Sequence, residues 1–384
     1  MTKNIKSTVP SIRFPEFNGE WVEKKIEELL TIGSGKDYKN LKKGDIPVYG
    51  TGGYMTSVND YLYDGESVCI GRKGTIDKPR FIDGKFWTVD TLFYTHSFKQ
   101  SLPQFVFLLF QNINWKKYNE ASGVPSLSKA TIEKIKLFIP AISEQEKISK
   151  FISLNDKRLN LLRKKKDELT KYKNGVVQKV FSKSLRFKDQ NGDEFPDWQD
   201  KELGEITSYV DYRGRAPKKS DQGIFLVTAK NIKKGFIDYD NSKEYVLEKD
   251  YNKVMSKGLP QVGDVLFTTE APLGNVCLVD NSNIALAQRV IKLRGKDGLK
   301  NTYLLHYMLS DTYQKLINRM AFGTTVLGIS GKELRKTSIK LPSLEEQTKI
   351  ADFFTSIDKS IENISQQIDD SHAFKQSLLQ KMFT

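Results

Sequence analysis

The sequence predicts an α+β protein organised as a tandem repeat. Two α/β domains are separated by two long helices that form an antiparallel coiled coil with pseudo-two-fold symmetry. Three observations predict this fold class. One segment of the chain occurs twice, both copies have the apolar spacing of a long helix, and the stretch before each copy mixes short strand-like runs with glycine-rich turns.

The repeated segment is the strongest of these signals. Residues 140–181 align without a gap with residues 342–383, at an offset of 202 residues. The repeat predicts four parts, which are domain 1 (1–139), helical segment 1 (140–183), domain 2 (184–341) and helical segment 2 (342–384). The identical pairs include Glu144/Glu346, Gln145/Gln347, Lys147/Lys349, Ile148/Ile350, Phe151/Phe353, Asp156/Asp358, Lys157/Lys359, Lys173/Lys375, Gln178/Gln380, Lys179/Lys381 and Phe181/Phe383.

Each repeated segment has the heptad spacing of a coiled-coil helix. Ser143 with Glu146, and Ser343 with Glu346, are candidate capping boxes at the two helix starts. A helix of about 40 residues is about 60 Å long, so its apolar stripe needs a partner, and we expect the other copy to provide it. The alternative is that each stripe packs on its own domain. The predicted seam consists of Ile148, Ile152, Leu159, Leu162, Leu169, Val176 and Val180 in the first helix and Ile350, Phe354, Ile357, Ile361, Ile364, Ile368, Leu378 and Met382 in the second.

The stretches before the two helices predict compact units of strands followed by a helix, the helices lying around residues 103–118 and 303–320. Similarity between the two halves is weak here. It persists near the start of each, where Arg13-Phe14 and Trp21 resemble Arg186-Phe187 and Trp198.

The charge of the chain favours a polyanionic partner. Lys and Arg total 61 against 47 acidic residues, for a net charge of +14. Nucleic acid is the leading candidate and a membrane surface the second. The longest apolar run, Phe105–Phe110, is much shorter than the roughly 20 residues of a membrane-spanning helix, and the first residues lack an apolar signal core, so we expect a cytoplasmic protein.

Several loops combine glycine with basic, amide or aromatic side chains, as DNA contacts require. Glycine lets the backbone approach phosphates, arginine can bind guanine through two hydrogen bonds, and Asn or Gln can bind adenine in the same way. A turn glycine beside an exposed base is the alternative for each loop taken alone. The candidates are Tyr49, Thr51, Gly53, Tyr54, Arg72, Lys73 and Thr75 in the first half and Tyr212, Arg213, Arg215, Lys230, Asn231, Asn275, Gln288 and Arg289 in the second.

Motifs for catalysis or metal binding are missing from the sequence. It has no Asn/Asp-Pro-Pro-aromatic motif of an adenine methyltransferase and no complete phosphate-binding loop; Gly33-Ser34-Gly35-Lys36 is only a fragment of one. Cys69 and Cys277 are too few and too distant for a disulfide scaffold or a cysteine zinc site. We therefore predict no catalytic residue and no metal site. A coiled-coil scaffold with non-specific DNA binding and an enzyme of unfamiliar motif remain alternatives.

The order of domain, Pro-x-x-x-Glu-Gln-x-x-Ile, heptad helix and the same again resembles the specificity subunit of type I restriction-modification enzymes over essentially the whole chain. The most specific pieces are residues 140–148, Pro-Ala-Ile-Ser-Glu-Gln-Glu-Lys-Ile, and residues 342–350, Pro-Ser-Leu-Glu-Glu-Gln-Thr-Lys-Ile.

The resemblance implies two target-recognition domains, each reading one half of a bipartite double-stranded DNA site, with the helices as spacer. It also implies two methylation subunits that use S-adenosylmethionine and two restriction subunits that use ATP and magnesium. No cofactor is then expected in this chain, which would be a non-catalytic subunit.

Overall fold

The computed structural model describes residues 10–212, 217–296, 298–323 and 325–383. The chain divides into two compact units. The first comprises the residues up to Arg163 together with those from Gln366 onward, and the second comprises Lys164–Ser365.

The first unit contains a mixed domain and the outer parts of two long helices. Its strands are β1 (Val22–Lys25), β2 (Thr31–Ser34), β3 (Lys43–Gly50), β4 (Gly53–Val58), β5 (Tyr63–Asp64), β6 (Ser67–Gly71), β7 (Arg80–Ile82), β8 (Lys85–Thr88), β9 (Leu92–His96) and β10 (Lys136–Ile139). Its helices are α1 (Ile26–Leu29), α2 (Pro103–Asn112), α3 (Lys129–Glu133) and the beginning of α4 (Ile142–Phe181), with a 3₁₀ turn at Trp115–Tyr118.

The second unit contains the end of α4 and the same kind of domain. Its strands are β11 (Gln199–Glu202), β12 (Thr207–Asp211), β13 (Ile224–Val227), β14 (Tyr245–Val246), β15 (Val265–Thr268), β16 (Val276–Leu278), β17 (Ile284–Leu286), β18 (Val290–Gly295) and β19 (Ser338–Leu341). Its helices are α5 (Leu203–Ile206), α6 (Glu248–Val254), α7 (Asn301–Leu309), α8 (Asp311–Met320), α9 (Gly331–Arg335) and the beginning of α10 (Leu344–Met382), whose end belongs to the first unit.

The two domains have matching sheet topologies. An antiparallel sheet has the order β2-β9-β6-β7 in the first domain and β12-β18-β15-β16 in the second. A second sheet joins β3 antiparallel to β4 and parallel to β8, as β13 joins β14 and β17. Strand pairs β1-β10 and β11-β19 also correspond. Two stretches with little sequence similarity therefore have the same scaffold.

The N-terminal caps of two short helices are also repeated in the two domains. Ser128 begins α3 by accepting a hydrogen bond from the Thr131 amide, and Ser330 begins α9 by accepting one from the Glu333 amide. The helix predicted around residues 303–320 is divided into α7 and α8, because the Ser310 side chain accepts from the Tyr313 amide and starts a new helix.

Within each unit the two long helices run antiparallel. In the first unit, Asp156 contacts Lys375 at 2.7 Å and Arg163 contacts His372 at 2.5 Å. In the second unit, Lys173 contacts Asp358 at 2.5 Å, and the Phe181 ring stacks on Phe354 with centroids 6.1 Å apart.

The predicted seam residues all have buried or half-buried side chains. Ile148, Ile152, Leu378 and Met382 belong to the core of the first unit, together with Trp21 and α2. Val176, Val180, Ile350, Phe354 and Ile357 belong to the core of the second. The α+β class, the tandem repeat and the antiparallel helix pairing predicted from the sequence are confirmed.

Candidate nucleic-acid interface

A buried ionic contact joins each domain to its long helix. We call the contact around Glu144 the first joint. Glu144 is 1% exposed, and its two oxygens accept hydrogen bonds from Nε and Nη2 of Arg13, both at 2.7 Å. The indole of Trp21 donates to the same carboxylate at 3.4 Å. The hydrogen bond to Glu144 raises the pKa of Arg13.

The second joint is built in the same way around Glu346, which is fully buried. Arg186 donates from Nη2 at 2.9 Å and from Nε at 3.3 Å, and the Trp198 indole donates at 2.8 Å. A buried carboxylate needs such partners, since an unpaired charge in the core costs several kcal/mol. The joints therefore explain why the same Arg, Trp and Glu occur in both halves of the sequence.

The neighbouring glutamine fixes a second helix in each unit. Gln145 accepts from the Leu102 amide at 2.9 Å, at the start of α2, and donates to the Gln100 and Pro140 carbonyls. Gln347 makes the matching contacts to the Lys300 amide, at the start of α7, and to the Gly298 and Pro342 carbonyls. The Glu-Gln pair of the repeat thus connects the long helix to the domain.

The first predicted capping box is wrong, and only the Ser343 half of the second is present. Helix α4 already begins at Ile142, so Ser143 lies inside it. Ser343 accepts from the Glu346 amide at 3.3 Å, but the Glu346 carboxylate binds Arg186 and Trp198 rather than returning to the cap.

Several candidates of the first half surround one groove of about 920 Å³, which we call the first cleft. The turn between β3 and β4 supplies Thr51, Gly53 and the exposed Tyr54, while the segment between β8 and β9 supplies Asp90 and Thr91. Tyr49 is half-buried and packs edge-on against Tyr54, with ring centroids 6.4 Å apart.

The other candidates of the first half lie beside this groove. The amides of Arg72 and Lys73 donate to the Thr91 carbonyl at 2.8 and 3.3 Å, and both side chains are exposed. Thr75, which is half-buried, follows in the same loop.

The second cleft has a volume of about 290 Å³ and gathers three candidates of the second half. Lys230 comes from the segment after β13, and Gln288 and Arg289 come from the segment between β17 and β18; all three are exposed. Leu226, Ala229 and Ala287 form an apolar part of its lining.

Backbone hydrogen bonds show that the two clefts occupy the same place in the scaffold. The Val89 amide donates to the Tyr49 carbonyl as the Ala287 amide donates to Val227, both at 3.0 Å. Asp90-Thr91 thus corresponds to Gln288-Arg289, because Leu92 and Val290 begin equivalent strands directly after these pairs.

Three candidates of the second half bond to the protein's own backbone. Their side chains are therefore no longer candidates for contact with a ligand. Tyr212 is fully buried, its hydroxyl donates to the Gly258 carbonyl, and burial raises its pKa. Asn231 is also fully buried, where its side chain accepts from the Thr228 amide at 2.9 Å and donates to the Asp238 carbonyl. Asn275 is half-buried and donates to the Ile232 carbonyl at 2.7 Å. These amides hold turns, which sequence alone does not distinguish from base contacts.

Gly53 is a backbone element of the first cleft, with a positive φ of 119° that favours glycine. Arg213 and Arg215 lie outside the described residues. Sequence reasoning missed Glu270, which forms an ion pair with Arg289 at 3.1 Å.

Within the part of the chain that the structure describes, no group of His, Cys, Asp or Glu side chains is arranged to hold a metal ion. In the same residues, no helix combines the length and apolar character needed to cross a membrane.

Comparisons with known proteins agree with this architecture. The profile of the family described as type I restriction modification DNA specificity domain matches the chain twice, over residues 18–171 and 196–370. The type I restriction enzyme MjaVIII specificity subunit of Methanocaldococcus jannaschii is 26% identical over 406 residues, which cover 100% of this chain and 90% of that protein.

Two solved structures have a similar fold. The type I restriction-modification system S subunit from M. genitalium has a TM-score of 0.65 at 14% identity, covering 98% of this chain and 99% of that one. A chain from a structure concerning complex assembly and conformational transition of the type I R-M system has a TM-score of 0.55 at 17% identity, covering 94% and 97%. With two profile matches that together span most of its length, this chain belongs to the type I restriction-modification DNA specificity family.

Proposed function

We propose that this protein is the sequence-specific DNA recognition subunit of a type I restriction-modification complex. Each domain reads one half of a bipartite double-stranded site through its cleft. The observation that carries this proposal is that two equivalent clefts on one scaffold have different polar side chains, Asp90-Thr91 in the first and Gln288-Arg289 in the second.

The side chains around the clefts have the chemistry that DNA requires. Arg289 and Arg72 can donate two hydrogen bonds to guanine, Gln288 can exchange two with adenine, and Lys230 can neutralise a phosphate. All four are exposed. The net charge of +14 supports binding to a polyanion.

Family membership supports a division of labour within the complex. We infer that this chain positions its partners and performs no bond-breaking step itself. Two methylation subunits would supply S-adenosylmethionine and transfer the methyl group to adenine. Two restriction subunits would use ATP and magnesium. The joints support this role, because a domain held by a buried ion pair presents its cleft in a fixed orientation to the helix.

Mapping of methylated adenines in strains with and without the gene tests this function. We expect one bipartite motif that is methylated only when the chain is present with its methylation subunit. An unchanged methylation pattern, or a continuous motif without a gap, would contradict the proposal.

Replacement of a single cleft-bearing stretch tests the assignment of one half-site to each domain. Residues 22–139 can be exchanged for the matching stretch of a relative while Arg13, Trp21 and Glu144 of the first joint stay in place. One half of the motif should change and the other should remain. A simultaneous change in both halves would show that the domains do not read separately.

A further inference from the structure

In each domain, one backbone hydrogen bond beside the cleft joins an arginine to a threonine. The arginine amide is the donor in the first domain, whereas the arginine carbonyl is the acceptor in the second. In the first domain the Arg72 amide donates to the Thr91 carbonyl at 2.8 Å. In the second, the Thr269 amide donates to the Arg289 carbonyl at 3.1 Å. Arginine and threonine have therefore changed places between two equivalent positions.

The equivalence of the two pairs rests on further contacts. The Leu127 amide donates to the Arg72 carbonyl at 2.8 Å, and the Ile329 amide donates to the Thr269 carbonyl at 3.0 Å. Leu127 and Ile329 are themselves separated by the repeat offset of 202 residues and directly precede the matching caps Ser128 and Ser330.

Arg289 forms an ion pair with Glu270 and remains half exposed. Its Nε contacts Glu270 Oε1 at 3.1 Å, and the side chain is 49% exposed at the edge of the second cleft. The planar guanidinium carries Nη1 and Nη2 side by side beyond Nε.

Arg72 has a different anchor, and it belongs to the donor residue of the backbone hydrogen bond rather than to the acceptor residue. Its Nη1 donates to the Asp90 carbonyl at 3.3 Å, and Asp90 lines the first cleft. The position equivalent to Glu270 is Lys73, because Lys73 forms a β-bridge with Ser126 as Glu270 does with Gly328. The guanidinium groups of Arg72 and Arg289 therefore extend from different segments and are held by different partners.

We propose that Arg72 and Arg289 are the specificity-determining side chains for one guanine in each half-site, and that Glu270 is a positioning residue for Arg289. The proposal rests on the function proposed above. The fork of two donors matches O6 and N7 of guanine in the major groove, whereas a backbone phosphate would not discriminate between sequences. Because the arginines start from different partners of the pair, the two guanines should lie at different positions within their half-sites.

The test uses the assembled complex of this chain with its methylation subunit. Methyl transfer is measured on duplexes in which each base pair of both half-sites is replaced singly. The variants are Arg72→Ala, Arg289→Ala, Arg289→Lys and Glu270→Gln. Arg319→Ala, which removes an exposed charge on α8 of the second domain, is the matched control.

Arg289→Ala should lose about 5- to 150-fold of the preference for G·C at one position of one half-site. The other half-site, read by the first domain, should be unchanged. Arg72→Ala should do the reverse. Arg289→Lys keeps the charge but not the fork, so the same base pair should relax to a smaller extent. Glu270→Gln should also act at that base pair alone, and Arg319→Ala should leave the profile intact.

Several outcomes would overturn the proposal. Uniform weakening on all duplexes would make both arginines phosphate contacts. If Arg289→Ala is inactive on every duplex, Arg289→Lys becomes the deciding variant. An unchanged base preference in Arg289→Lys would contradict the proposal. The proposed function fails separately, if the wild-type complex shows no bipartite preference at all.

Discussion

Loss of the buried carboxylate Glu346 should destabilise the second unit more than any exposed change nearby. The substitution Glu346→Ala removes the acceptor of three hydrogen bonds, two from Arg186 and one from Trp198. Arg186, whose side chain is 19% exposed, would keep the Pro196 carbonyl, which accepts from its Nη2 at 2.8 Å, and a 3.8 Å ion pair with Asp197.

The expected loss of unfolding free energy depends on which groups are left without a partner. Breaking a buried ion pair by removing one partner costs about 3–5 kcal/mol. Because Arg186 reaches solvent and keeps its bond to Pro196, we expect the lower end, about 3 kcal/mol. For a unit of this size each kcal/mol lowers the melting temperature by roughly 2–4 °C, so the shift should be about 6–12 °C.

Trp198 makes this measurement specific, because the chain's other tryptophans, Trp21, Trp87 and Trp115, all lie in the first unit. Replacing those three with Phe leaves an indole that reports on the second joint during urea unfolding. Glu345→Ala is the matched control, since Glu345 is exposed and its contact with Lys349 is 3.9 Å long. A loss below about 1 kcal/mol, or an equal loss in the control, would refute the reasoning about the buried pair.

Three further predictions concern other parts of the molecule. Burial, followed by the charge of Lys173, lowers the pKa of His306 to about 3, so its neutral form is favoured in the folded state. Its contribution to stability should be complete above pH 6.5 and be lost progressively as the pH falls towards 3. Acid titration of urea unfolding should show a shallower slope for His306→Phe, and an identical slope would contradict the burial argument. A double-mutant cycle of Asp156→Asn and Lys375→Gln should give a coupling of only about 0.5–1 kcal/mol, because both side chains are partly exposed; a much larger value would indicate a dry contact. Joining residue 383 to residue 10 through a short linker and opening the chain within 189–193 should preserve folding and the methylated motif, as measured by circular dichroism and adenine mapping, while a soluble permutant with a different motif would refute the equivalence of the two repeats.

The basis of the last prediction is a pair of equivalent contacts. In the first unit the Ile12 amide donates to the Lys381 carbonyl at 3.2 Å, near the end of α10. In the second unit the Leu185 amide donates to the Lys179 carbonyl at 3.0 Å, near the end of α4. The segment at the start of the first domain therefore meets the end of a long helix as the segment before the second domain does.

The sequence predicted the helices and the tandem repeat because both depend on periodic patterns. Heptad spacing is determined by helical geometry, and a repeat of 42 residues is visible without any structure. The division of the helix predicted around residues 303–320 was missed, since the capping role of Ser310 depends on a local turn.

The candidate site could be predicted only in part. Glycine, basic and amide residues led to Lys230 and Gln288, which line the second cleft, and to Arg72, which lies beside the first. The same rule selected Tyr212 and Asn231, which are buried. Composition cannot separate an amide that holds a turn from one that faces solvent, because that difference depends on how the surrounding chain folds around the residue.

The arginine, tryptophan and glutamate of the two joints match because the chain pairs these residues with one another. Glu346 must find Arg186 and Trp198 in every folded molecule, so a change at any one of them leaves a buried charge or donor unpaired. Thr91 and Arg289 occupy equivalent positions at the edges of exposed clefts, where a new side chain costs little stability. Folding therefore constrains the joint more than it constrains the cleft. With the clefts as the proposed reading surfaces, an exchange of recognition surfaces must leave the arginine, tryptophan and glutamate of each joint in place.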